Sequence, residues 1–169
     1  MKLLIIQTSP THTCSTLLVN AIYGLIPELS DKKITFEEFD DSYNIICMKS
    51  HIDIDLLIDK YNHLYKLIFI CSERKNLDII MDIKYKTYKN VIIFDFNELN
   101  ETIINPLPII VDTIYNKVKN VLVNIELDKT KCIERIKSMN NKYEEIKNES
   151  FNYIDDFYGL HGSHRNRKE

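Results

Sequence analysis

Glycine is scarce in this chain. There are 3 in 169 residues, with 4 prolines and no tryptophan. Glycine supplies the backbone freedom that lets a loop wrap closely around a phosphate. The G-x-x-x-x-G-K-[ST] loop is therefore absent, and an ordinary P-loop ATPase or kinase goes with it. The 4 cysteines, at positions 14, 47, 71 and 132, never stand in C-x-x-C spacing, which argues against a zinc site. No apolar run approaches the length of a membrane span, and the N-terminus lacks the long apolar core of a signal peptide. The formal net charge of -3 gives no global field towards nucleic acid or an anionic membrane. These absences lead to the expectation of a cytoplasmic protein with free thiols and no metal, bound to neither nucleic acid nor membrane. They leave the oligomeric state open.

What is present is a regular alternation. Lys2–Gln7 is a continuous apolar run, as in a strand buried on both faces. Ser15–Ile26 carries apolar residues at helical spacing and stops at Pro27. Ile34–Phe39 alternates like a strand, and Ile45–Met48 is a short apolar one. Ile52–Tyr65 has helical periodicity with Asp53 and Asp55 near its start. Leu67–Cys71 and Val91–Phe96 read as buried strands, with a helix expected between them near Asn76–Ile83. Pro108 suits the first turn of a helix running to about Val121, and Asp128–Lys147 is a charged amphipathic helix. Strand and helix in turn predict one α/β domain over residues 1–169, a parallel sheet flanked by helices, with a basic tail at 159–169.

The first strand-to-helix turn, Thr8–Ser15, lies where open α/β sheets bind ligands. Ser9, Thr11, Thr13, Ser15 and Thr16 place hydroxyls beside a helix N-terminus, where free N–H groups and the helix dipole favour an anion. A plain helix cap would use the same residue types. A cysteine phosphatase starting at Cys14 would need an arginine where Asn20 stands. A flavodoxin-like site for FMN uses a Ser/Thr-rich loop at this position and survives on local chemistry alone.

Several segments in order resemble the P-loop sulfotransferases. "SPTHTCSTLL", from Ser9 to Leu18, resembles their 5′-phosphosulfate loop. "MKSHID", Met48 to Asp53, is similar to the K-T-H-[LF]-P segment with its catalytic histidine. "YKLIFICSERKNLDII", Tyr65 to Ile80, resembles the strand and turn that bind the 3′-phosphate. "VIIFDFNELNE", "MNNKYEEIKNESF" and the tail "YGLHGSHRNR" fall where the family has its later strand, its S-F-x-x-M-K segment and its R-K-G loop.

The resemblance implies a P-loop sulfotransferase-like fold and sulfuryl transfer from 3′-phosphoadenosine 5′-phosphosulfate to a small hydroxyl or amine acceptor, without a metal. It implies that Thr13, Cys14, Ser15 and Thr16 line the phosphosulfate, with His12 where the family has its loop lysine or arginine. His51 would be the general base, preceded by Lys49, both counted as catalytic with His12. Ser72 and Arg74 would meet the 3′-phosphate, Phe96 would stack on adenine, and His161, Gly162 and Arg165 would close over the nucleotide. The chain departs from the pattern where Cys14 replaces the loop glycine, where His12 replaces its cation, and where Ser72 replaces the 3′-phosphate arginine. These losses keep a second class open, a non-catalytic binding protein on the same scaffold. An FMN-binding protein stands third.

Overall fold

The computed structural model describes residues 2–10, 15–30, 35–36, 39–95 and 107–146. The apolar runs become β1 (Lys2–Thr8), β3 (Ile45–Ser50), β4 (Tyr65–Glu73) and β5 (Val91–Asp95), with a short β2 at Thr35–Phe36. All pairings are parallel and the order across the sheet is β2-β3-β1-β4-β5. β1 is central, and Leu4, Ile5 and Ile6 on it are completely buried. That burial on both faces is why the run is apolar without alternation.

Helices cover each face. On one side α1 (Ser15–Leu25) packs with α4 (Leu107–Val118) and α5 (Lys129–Ile146) over Ile5, Cys47, Ile70 and Phe94. On the other, α3 (Ile54–Tyr61) packs over Leu4, Ile6, Met48 and Phe69. Each fully buried Leu, Ile or Phe contributes about 1.5–3 kcal/mol, so this layered core is the main source of stability. α1 and α5 approach closely enough that a Cβ at Gly24 would lie 2.6 Å from the Cys132 Cα, which explains a glycine inside α1. The Asp128 N–H donates to the Leu25 carbonyl at 2.7 Å and ties the two helices end to end.

Pro27 does not simply stop α1; it opens a short second helix, α2 (Pro27–Ser30), as proline can at a first helical position. α3 is shorter than the sequence periodicity because Asp53 caps it and Tyr65 already belongs to β4. The helix expected near Asn76–Ile83 is absent. There, the Arg74 and Ile79 backbones form an antiparallel bridge around a single 3₁₀ turn, Lys75–Leu77. Asp78 sits at φ 55°, a left-handed conformation that aspartate tolerates better than most residues and that ends any helix. A second 3₁₀ turn, Ile83–Thr87, starts at Asp82, whose side chain accepts from the Lys84 N–H. No described helix is long and apolar enough to cross a membrane.

Candidate functional site

The loop after β1 leads to a helix on one face, and the segment after its neighbour β3 leads to a helix on the other. Adjacent strands whose connections diverge in this way open a crevice at their carboxyl ends. All the described buried polar residues but Asn20 of α1 gather at this end of the molecule. Gln7 and Thr8 finish β1 with Ser9 next, Lys49 and Ser50 finish β3, Ser72 and Glu73 finish β4, and Ser15 begins α1.

Register decides which of them meet. Gln7 pairs with Lys49 and Thr8 with Ser50. Paired residues on parallel neighbours share a face, so Gln7 and Lys49 extend the face that carries α1. Ser9 holds the rim together. Its Oγ accepts from Gln7 Nε2 at 2.9 Å and from the Ser72 N–H at 2.8 Å, with Ser72 Oγ 3.1 Å away. Ser72 therefore braces the turn after β1, using groups that the family resemblance assigned to a 3′-phosphate. Thr8 Oγ1 donates to the Ile52 carbonyl, and Ser50 Oγ accepts from the Ile52 N–H, fixing the turn after β3.

His51 follows directly. Its Nδ1 lies 3.0 Å from the Ser9 carbonyl oxygen. A carbonyl only accepts, so Nδ1 carries a proton and Nε2 is the basic nitrogen of the neutral ring. His51 does not cap α3; Asp53 does, accepting from the Asp55 N–H at 2.9 Å.

Lys49 is fully buried, and its ammonium donates to Thr16 Oγ1 at 3.2 Å. Thr16 lies in the first turn of α1. Burial lowers the Lys49 pKa to about 8. Gln7 Oε1, also buried, has no hydrogen-bond partner among the described residues. The carboxylate of Glu73 fares differently. Lys86 Nζ lies 3.0 Å from it, Lys75 Nζ lies 3.6 Å away, and the Met81 N–H donates to it.

Of the residues singled out from sequence, the structure brings Ser15, Thr16, Lys49, His51 and Ser72 to this edge. Arg74 lies one residue beyond β4, its backbone bonded to Ile79. Lys75 is drawn off by Asp95, 3.1 Å away. His12, Thr13, Cys14, Phe96, His161, Gly162 and Arg165 fall outside the described residues. Cys47, Cys71 and Cys132 are core thiols whose pKa values burial raises, to about 12 for Cys71 and Cys132. Among the described residues no group of His, Cys, Asp and Glu is placed to hold a metal ion. Sequence reasoning passed over Gln7 and Glu73. Their one signal was a polar residue closing an apolar strand.

The edge can therefore hold an anion against α1 and offer a base beside it. No family model, curated protein or solved structure matches the chain.

Proposed function

We propose that this chain is a sulfotransferase-like protein, moving a sulfuryl group from 3′-phosphoadenosine 5′-phosphosulfate to a small hydroxyl or amine acceptor. The observation that carries the reading is the His51–Ser9 bond. It fixes the imidazole at the mouth of the crevice with Nε2 as its basic nitrogen. The buried Lys49 ammonium and the α1 N-terminus fit the negative charge of such a donor.

The donor supplies an activated sulfuryl group on a phosphate that leaves easily. The chain's part is to place and to move protons. His51 Nε2 takes the acceptor proton as the new bond to sulfur forms and the bond from sulfur to the phosphate oxygen breaks. The electron pair of that broken bond ends on the phosphate. Lys49, Ser15 and Thr16 lie where they would offset its charge. Ser72 serves as a brace in this scheme, which leaves the 3′-phosphate to Arg74 and to the basic tail.

The test is acceptor-dependent release of 3′-phosphoadenosine 5′-phosphate by the full chain, with His51→Ala beside it. The expected loss in kcat is about 100-fold or more, with donor affinity kept. Donor binding without turnover across phenol and amine acceptors would replace this reading with a non-catalytic binding protein. A yellow protein that retains FMN would replace it with the flavin reading.

A further inference from the structure

We infer that Ser9 and Ser72 are positioning residues for His51: the Ser9 side chain, anchored to β4, fixes the backbone carbonyl that keeps the imidazole proton on Nδ1. The inference rests on the proposed role of His51 as the base and adds what holds that base in its working form.

The contact that sets the tautomer runs to a backbone atom, the Ser9 carbonyl oxygen, 3.0 Å from His51 Nδ1. Every residue carries such a carbonyl, so its presence specifies nothing. Its position does, and three features build that position. Register is the first. Thr8 pairs with Ser50, so Ser9 and His51 come next on neighbouring chains. On the other side Gln7 pairs with Ile70, and two residues on Ser9 comes level with Ser72. Residues two apart on a strand share a face. Ser9 and Ser72 therefore continue the face of Ile5 and Ile70, which carries α1. The second feature is Pro10, directly after Ser9. A following proline disfavours the helical region and holds a residue extended, which limits where the Ser9 carbonyl can turn.

The third feature is the Ser9 side chain. Ser9 and Ser72 are both buried. A hydroxyl has two lone pairs and one hydrogen. Gln7 Nε2 at 2.9 Å and the Ser72 N–H at 2.8 Å take both lone pairs of Ser9 Oγ, which leaves its hydrogen for Ser72 Oγ, 3.1 Å away. The hydroxyl cannot swing away without stranding buried donors, a costly loss. The His51 main chain is held separately, because Thr8 Oγ1 and Ser50 Oγ grip the two sides of Ile52. The Ser9 carbonyl then orients the ring. Were that carbonyl to shift, the proton could pass to Nε2, and an imidazole protonated there has no lone pair to offer an acceptor hydroxyl or amine.

The test reads the tautomer directly. Ring nitrogen-15 resonances are recorded on the full chain at a pH where His51 is neutral, with His51→Ala used to assign them. The wild type is expected to carry its proton on Nδ1. Ser9→Ala and Ser72→Ala should each populate the Nε2–H form, Ser72→Ala less, because it keeps the Ser72 N–H bond. In the transfer assay Ser9→Ala should lower kcat about 10- to 100-fold with the donor KM unchanged. Glu73→Ala, which disturbs the opposite face beside Ser72, controls for lost stability and should leave the tautomer in place. An Nε2–H tautomer in the wild type, an unmoved one in the serine variants, or an equal shift in Glu73→Ala overturns the inference. Should Ser9→Ala fail to fold, Ser72→Ala decides by the same resonances. The tautomer is read with neither donor nor acceptor present. Absence of transfer in a wild type that shows the expected tautomer shifts therefore counts against the proposed function and leaves the positioning of His51 standing.

Discussion

Lys49 and Glu73 lie on opposite faces of the sheet. Each stands at the carboxyl end of a strand beside β1, each is buried, and each carries charge. Glu73 lies on the α3 face and is enclosed by its own protein, with Lys86 and the Met81 N–H turned to it and Lys75 shared with Asp95. Lys49 lies on the α1 face and has one neutral hydroxyl. Burial is the sole cause of its lowered pKa, with no charged neighbour contributing. A fold that pairs one buried charge fully and leaves the other open is not short of charged residues. The difference marks Glu73 as part of a closed network and leaves Lys49 as the buried charge that the proposed donor would offset.

The contrast makes two substitutions diverge in sign. Glu73→Ala removes the acceptor of several donors and should destabilise the protein by about 3 kcal/mol. Lys49→Met replaces an unpaired buried charge with an apolar chain of similar length and should stabilise the unliganded protein by about 2 kcal/mol. Urea unfolding of both variants measures this. If Lys49→Met destabilises the protein as Glu73→Ala does, the two charges are alike and the contrast collapses.

A pH titration sharpens the same point. The folded-state pKa of Lys49 is about 8, below its ordinary value of 10.5. Between these values the unfolded chain binds more protons than the native one. Stability should therefore rise with pH through this window, by up to about 3 kcal/mol across it. Below pH 8 the full cost of charging Lys49 is present; above 10.5 it is gone. Other groups titrate here, so the measured quantity is the wild-type curve minus that of Lys49→Met, which should slope upward between pH 8 and 10.5. A flat difference would mean that a counter-charge already sits beside Lys49. The proposed donor, bound at the site, reverses the trend, because affinity falls as Lys49 loses its proton above pH 8.

The sheet was legible because burial on both faces writes itself as uninterrupted apolar runs, as in Leu3–Ile6 and Leu67–Cys71. α1 and α5 were legible for the complementary reason, an apolar stripe at helical spacing. The connection from β4 to β5 was not. Its turns depend on Asp78 in a left-handed conformation and on a single backbone bridge, and neither has a periodic signature. Within the site, Ser15 and Thr16 could be found from hydroxyls before a helix, and His51 from a family resemblance. The surroundings of Lys49 could not. In "IICMKS" it is one polar letter at a strand end. Only the register against Gln7 and the return of α1 over that face bring it to Thr16, and both are long-range facts.

The smallest effect belongs to the face that is already closed. Asp53 caps α3, and the same oxygen accepts from the Asp55 N–H at 2.9 Å and from the Tyr85 hydroxyl at 2.5 Å. Asp55 alongside it takes Lys84 and Tyr88. Asp53→Ala removes a helix cap and should cost about 1 kcal/mol. It lies two residues from His51, yet it belongs to the α3 face, where charge is matched by charge. Donor affinity should therefore stay at the wild-type value while the melting temperature falls. If affinity dropped with stability, the two faces would be coupled through the turn after β3. The open charge of Lys49 could then no longer be read apart from the closed network behind it.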